Sequence, residues 1–357
     1  MSSEPSQTKS DSFQYLNLLR ILAILFVILL HCLTPYINSV GLFNTKTWWF
    51  SNIANAFVRS GVPLFFMISG YLLLSSKSTL HISRFYQKRF SRVLVPFLIW
   101  HAIYFLYYAV TNRTDISVSA FFQSLFVRGS AYHFWFVYTL MGIYLLLPYL
   151  KRIVDHCTMK QLWGLLCIIS FTGTIRPFLN TVTPFYMFLF EPLMEGYIAF
   201  FLLGYLLGKV DMTRKIRFLI YALASVGASI TIIGNYLYSS HEEINLYFNG
   251  GYQLGHFLCA TGIFVFAKYS REIKISFLQS AIATLSSVTY TMYLCHVLIL
   301  DISEKYIIRL VSPALTIIAN FVVVVCVSTA IGLLLHCLSM LLRTLHTSHS
   351  RDKSFTA

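Results

Sequence analysis

The sequence predicts an all-α fold, a polytopic membrane helix bundle of about ten transmembrane helices with both termini cytoplasmic. Three observations predict it. The 357 residues are 57% hydrophobic and only 11% charged, with a mean hydropathy of +0.68, far from the average of soluble globular chains. Apolar segments of roughly bilayer length recur along the whole chain. The basic residues gather in alternate connecting segments, as cytoplasmic loops do.

The apolar segments fall at about 14–34, 57–76, 93–111, 132–150, 161–175, 192–208, 216–238, 252–268, 281–300 and 313–342. The first follows a polar stretch and lacks a small-residue cleavage site, so it reads as an uncleaved span. The tenth is long for one bilayer and either tilts or continues past it. This divides the chain into a cytoplasmic tail at 1–13, a membrane domain at 14–342 and a second cytoplasmic tail at 343–357.

The charges between spans support that order. With the N-terminus inside, successive inner segments carry Lys9, then Lys77, Arg84, Lys88, Arg89 and Arg92, then Lys151, Arg152 and Lys160. Lys209, Arg214, Lys215 and Arg217 follow, then Lys268, Arg271 and Lys274, and finally Arg343, Arg351 and Lys353. The outer segments hold only Lys46, Arg113, Arg128, Arg176, Lys305 and Arg309, with Arg59 near an outer boundary. The net charge of +14 is then a topology signal and does not point to nucleic acid. Seven cysteines, mostly within apolar segments and without paired spacing, read as packing residues. No His or Cys pair has metal-ligand spacing, so no metal is expected.

Arg20 and His31 bracket the apolar run Ile21 to Leu30 in the first span. Ionisable groups at this depth are costly and mark function by default. Eleven residues are three helical turns to within about 10°, so both side chains leave one helix face, roughly 16 Å apart along the axis. The topology puts the permanent cation in the cytoplasmic half and the titratable imidazole toward the outside. Arg84, Lys88, Arg89 and Arg92 form the most basic loop, with several on one helical face. Either they touch lipid headgroups, or they dock a polyphosphate from the cytoplasm.

These residues match a family. Arg20, ten intervening residues and His31 resemble the R-x10-H motif of the acyltransferase-3 family of integral membrane O-acyltransferases. Further pieces follow in family order: Ser60 to Tyr71 (SGVPLFFMISGY), Lys88-Arg89 through Arg92 and Pro96, His133-Phe134-Trp135-Phe136, and Ser287 to His296 (SVTYTMYLCH). The chain looks most like the short bacterial members that O-acetylate surface polysaccharide, such as enterobacterial common antigen. The resemblance implies a multi-pass protein of the bacterial inner membrane. It would take an acyl group, acetyl by expectation, from cytoplasmic acyl-CoA to a hydroxyl of a lipid-linked or surface polysaccharide. Acetyl-CoA is then the co-substrate, and its phosphates suit Arg84, Lys88, Arg89 and Arg92. His31 would act as general base or carry the acyl group transiently, and Arg20 would bind phosphate or polarise the thioester carbonyl.

Other polar residues lie on the outer side. His133 and Trp135 sit at the outer end of span four, Glu191 and Glu195 at that of span six, and Tyr293 and His296 in the outer half of span nine. Glu195 is the better placed of the two carboxylates to orient the imidazole, or it is an interfacial glutamate without a catalytic role. Trp135 serves as an aromatic-belt residue or a face for sugar stacking. His296 shares a helical face with Thr289 and Tyr293, a polar seam that binds substrate or only packs. Ser69 and Gly70 suit a close helix approach. A second class of function also fits a buried Arg and His: a proton-coupled transporter or flippase, which internal repeats would favour.

Overall fold

The structure, a computed structural model, describes residues 9–184, 196–306 and 312–354. Among these, every regular element is helical. In chain order they are α1 (Lys9–Ile37), α2 (Lys46–Val58), α3 (Gly61–Leu74), α4 (Ile82–Arg89), α5 (Val95–Asn112), α6 (Val118–Gln123) and α7 (Trp135–His156). Then come α8 (Met159–Ser170), α9 (Arg176–Val182), α10 (Tyr197–Lys209), α11 (Arg214–Tyr238), α12 (Leu254–Lys268), α13 (Ser276–Tyr306) and α14 (Pro313–Ser354). Single π-helical turns join α4 to α5 at Phe90–Leu94 and α8 to α9 at Phe171–Ile175. Such turns are rare and recur where a helix must re-aim a functional side chain.

Among the described residues, 8 stretches are long and apolar enough to cross a membrane. They match eight of the ten expected spans, with shifted boundaries. The expected span at 57–76 covers the C-terminal part of a 29-residue stretch, Lys46–Leu74. Its N-terminal part escapes a hydropathy pattern because Ser51, Asn52 and Asn55 interrupt it, yet all three are fully buried. Thr45 starts this stretch by accepting a hydrogen bond from the Trp48 amide at 3.3 Å. Arg59 therefore lies mid-way along this stretch, at the turn between α2 and α3. The remaining two expected spans are helical but short. Within the described residues α10 has 13 and α12 has 15, below the ~20 that a bilayer crossing takes. Protein surrounds α10 on nearly all sides, from Tyr197 to Leu207, so its apolar character serves packing between helices.

α1 runs through the middle of the bundle, against α2, α3, α12, α13 and α14. Its buried face, Tyr15, Leu16, Leu19, Ala23, Ile24, Val27 and Ile28, supplies much of the core. α3 and α10 approach backbone to backbone: a Cβ on Gly70 would land on the Phe201 carbonyl, and one on Gly204 on the Met67 backbone. The close approach expected for Gly70 is thus met by a matching glycine on α10. α14 continues as helix to Ser354, 42 residues in all, through most of the expected C-terminal tail.

Candidate active site

One part of the site is a cavity of about 210 Å³ between α1, α3, α7, α13 and the π turn after α4. Arg20, Ser69, Arg92, Tyr144, Thr289 and Tyr293 supply its polar lining, and Phe65, Phe136 and Leu140 its apolar walls. Arg20 is steadied by Asn17, whose Oδ1 accepts from Arg20 Nη1 at 3.3 Å and from Ser286 Oγ at 2.9 Å. The π turn brings Arg92 to the same cavity, and the Tyr290 hydroxyl clamps that turn by donating to the Val93 carbonyl at 2.9 Å. Arg89 stacks over the rings of Phe85 and Tyr144, each at 5.6 Å, one shell behind the cavity wall. Arg84 and Lys88 are exposed and stay outside it. Of the four basic residues expected to meet polyphosphate, the structure brings Arg92 together with Arg20 and sets Arg89 beside them.

Tyr293 lines this cavity and begins a cluster of histidines. Its hydroxyl donates to the main-chain carbonyl of His133. The rings of His133 and His296 lie 4.9 Å apart, and those of His31 and His296 5.1 Å apart. Three histidines from α1, from the turn before α7 and from α13 thus meet at one point. His296 Nδ1 donates to the Tyr293 carbonyl at 2.6 Å, which leaves Nε2 of the neutral ring as an acceptor. That Nε2 and both ring nitrogens of His133 are buried without a hydrogen-bond partner. Buried polar atoms without partners are uncommon and call for an explanation such as a bound substrate or water.

His31 differs from the other two because it is only partly buried. The Tyr132 hydroxyl engages its Nδ1 at 3.3 Å, so Nε2 is the nitrogen left to meet a substrate. When Nδ1–H donates to Tyr132, Nε2 carries the lone pair that a base or nucleophile needs. Around Tyr132 lie two carboxylates of α13, Asp301 and Glu304, within electrostatic range of its hydroxyl. Asp301 in turn accepts from the Tyr108 hydroxyl. Arg59 also lies within electrostatic range of His31.

Helix bundle, intramembrane cations and a histidine cluster frame a comparison with known proteins. A family model described as an acyltransferase domain matches residues 13–337. The chain belongs to the acyltransferase-3 family. No curated protein and no solved structure matches it. Membership makes the protein a membrane acyltransferase.

In this acyltransferase the expected site residues divide into three groups. His31, His133, Tyr293 and His296 come together at the head of the cavity that Arg20 and Arg92 line. Trp135 does not join them; it is exposed and packs its ring 5.1 Å from that of Tyr197. Glu191 and Glu195 lie outside the described residues. Sequence reasoning missed Tyr132, Arg59 and Asp301. A signal existed for each: Tyr132 directly precedes His133, Arg59 directly precedes the SGVPLFFMISGY motif, and Asp301 follows His296 by five residues on one helix.

Proposed function

We propose that this acyltransferase moves an acetyl group from cytoplasmic acetyl-CoA through the bundle to a hydroxyl of an extracytoplasmic glycan. One observation carries the reading: the cavity lined by Arg20 and Arg92 ends at Tyr293, which hydrogen-bonds into the cluster holding His31. Two arginines at the inner end suit the phosphates of CoA. The pantetheine arm spans on the order of the 16 Å between Arg20 and His31 that the helix rise sets.

In this mechanism the thioester stops beside Tyr293, and the acceptor hydroxyl approaches His31 from outside. His31 Nε2 takes the hydroxyl proton as the oxygen attacks the thioester carbonyl, and the thiolate of CoA leaves. Tyr132 holds Nδ1 and so fixes which nitrogen faces the hydroxyl. The Asp301 and Glu304 carboxylates near Tyr132 stabilise the imidazolium that forms. The acceptor is a lipid-linked or surface polysaccharide, and the membrane is the inner membrane of a bacterium.

The test uses the purified protein in vesicles, with labelled acetyl-CoA on the side of Arg20 and Arg92 and a cell-envelope glycan on the other. Wild type transfers label to the glycan and His31→Ala does not. If wild type transfers no label but moves a polysaccharide or an ion, a transporter replaces the enzyme. Equal labelling by His31→Ala removes His31 from the mechanism.

A further inference from the structure

The cavity that Arg20 and Arg92 share is apolar at one end and polar at the other. α7 lines it with Phe136, Leu140 and Tyr144, one helix face taken in steps of four residues. α3 lines it with Phe65 and then, again four residues on, Ser69. The rings of Phe65 and Phe136 lie 5.9 Å apart, so both helices begin the slot at one apolar place. Each reaches a polar side chain further along, and there Arg89 stacks over the Tyr144 ring at 5.6 Å. Phe136 and Tyr144 are separated by about 12 Å of helix rise. Tyr293 belongs to the apolar end, with its ring 4.9 Å from that of Phe136. The same tyrosine ring stands 5.5 Å from the rings of His133 and His296, so the apolar end is the one that adjoins the histidines.

What stands behind Phe136 fixes how firmly that end is closed. Phe136 is buried, and its ring meets the fully buried Phe66 edge-on at 5.1 Å. Phe66 in turn lies 4.9 Å from the ring of Tyr197. With Phe65 and Tyr293 on its other sides, the Phe136 ring has no space to swing aside. A donor whose phosphates meet Arg20 and Arg92 brings its uncharged acyl end to this place, where the histidines are. A chain longer by two methylenes then meets a packed ring in place of space, and overfilling a close-packed wall is costly.

We propose that Phe136 determines which acyl donor the protein takes, its ring acting as a stop that holds the chain to the length of an acetyl group. The stop rests on the acyl-transfer reading for its chemistry and on the cavity wall for its geometry.

The test compares acetyl-CoA with butyryl-CoA on the purified full chain in nanodiscs, with one cell-envelope glycan as acceptor. The readout is the ratio of the two kcat/KM values, in which a partial loss of folded protein cancels. Wild type favours acetyl-CoA by at least about tenfold, the discrimination that an apolar pocket gives against added methylenes. Phe136→Ala shifts the ratio toward butyryl-CoA by about tenfold or more, and Phe136→Leu shifts it the same way by less. Exposed Phe218→Ala on α11 leaves the wild-type ratio. If Phe136→Ala does not fold, the shift in Phe136→Leu decides. Wild type that takes butyryl-CoA as well as acetyl-CoA, or better, overturns the stop and leaves acyl transfer standing. So does a ratio that both Phe136 variants leave unchanged, which confines the ring to packing. Where no donor is transferred, the equilibrium affinities of the two thioesters are read in the same way. A binding preference for acetyl-CoA that the Phe136 variants relax then keeps the stop and removes the acyltransferase mechanism instead. Wild type that binds neither thioester overturns both.

Discussion

The Tyr293 hydroxyl donates to the main-chain carbonyl of His133, joining the middle of α13 to the turn that starts α7. The carbonyl of the same tyrosine holds His296 Nδ1, so one residue orients both fully buried histidines beside His31. It also lines the cavity that Arg20 and Arg92 share. Tyr293→Phe keeps the ring and deletes the hydroxyl bond. The expected loss of stability is about 1 kcal/mol, read as a lowered unfolding midpoint in detergent. Initial rates with acetyl-CoA should fall by roughly tenfold, as expected for a misplaced cluster. A lowered midpoint with unchanged rates would confine the tyrosine to packing.

His31→Ala should lower kcat by at least about a hundredfold, the range that a lost general base or nucleophile costs. Tyr132→Phe removes only the group that holds Nδ1 and should cost about tenfold. Steady-state kinetics on both variants give the comparison. Loss of activity in Tyr132→Phe as deep as in His31→Ala would make the tyrosine a reacting group.

Arg20→Gln and Arg92→Gln should each raise KM for acetyl-CoA by about tenfold or more, because each removes a charge-assisted contact worth about 1.5–3 kcal/mol. The effect should be smaller for Arg84→Gln, since Arg84 lies outside the cavity that Arg92 lines. Saturation curves at fixed acceptor measure it. Equal effects at all three positions would assign donor binding to the basic loop as a whole.

Gly204→Leu should destabilise the bundle by about 1–3 kcal/mol or more, because the added carbons meet the Met67 backbone, which cannot swing away. Gly142→Ala in α7 is the contrast: nothing lies within 4 Å of the added methyl, and helix propensity favours it by up to about 1 kcal/mol. Thermal unfolding of the two variants side by side should move in opposite directions.

The periodicity of Arg20 and His31 carried far because a straight helix converts spacing into depth and direction directly. The basic loops and apolar runs likewise gave eight stretches that the structure shows as membrane-length helices. What hydropathy hid was buried polarity. Asn52, Asn55, Asn235 and Asn249 read as loop or interface residues one at a time, yet they satisfy one another inside the bundle. Their network begins the second stretch at Lys46, eleven residues before the apolar run starts. Asp301 was hidden differently: its relation to Tyr132 crosses from α13 to the turn before α7, and no local pattern reports such a contact.

α1 carries Arg20 and His31 on one uninterrupted helix, with its single proline, Pro35, beyond both. The two ends of the proposed reaction path therefore ride on one helix. A turn of that helix that moves the guanidinium away from the donor cavity swings the imidazole away from Tyr132 and His296 by the same angle. In the proposed mechanism, loading of the donor and readiness of the base would be geared together, without any relay between them.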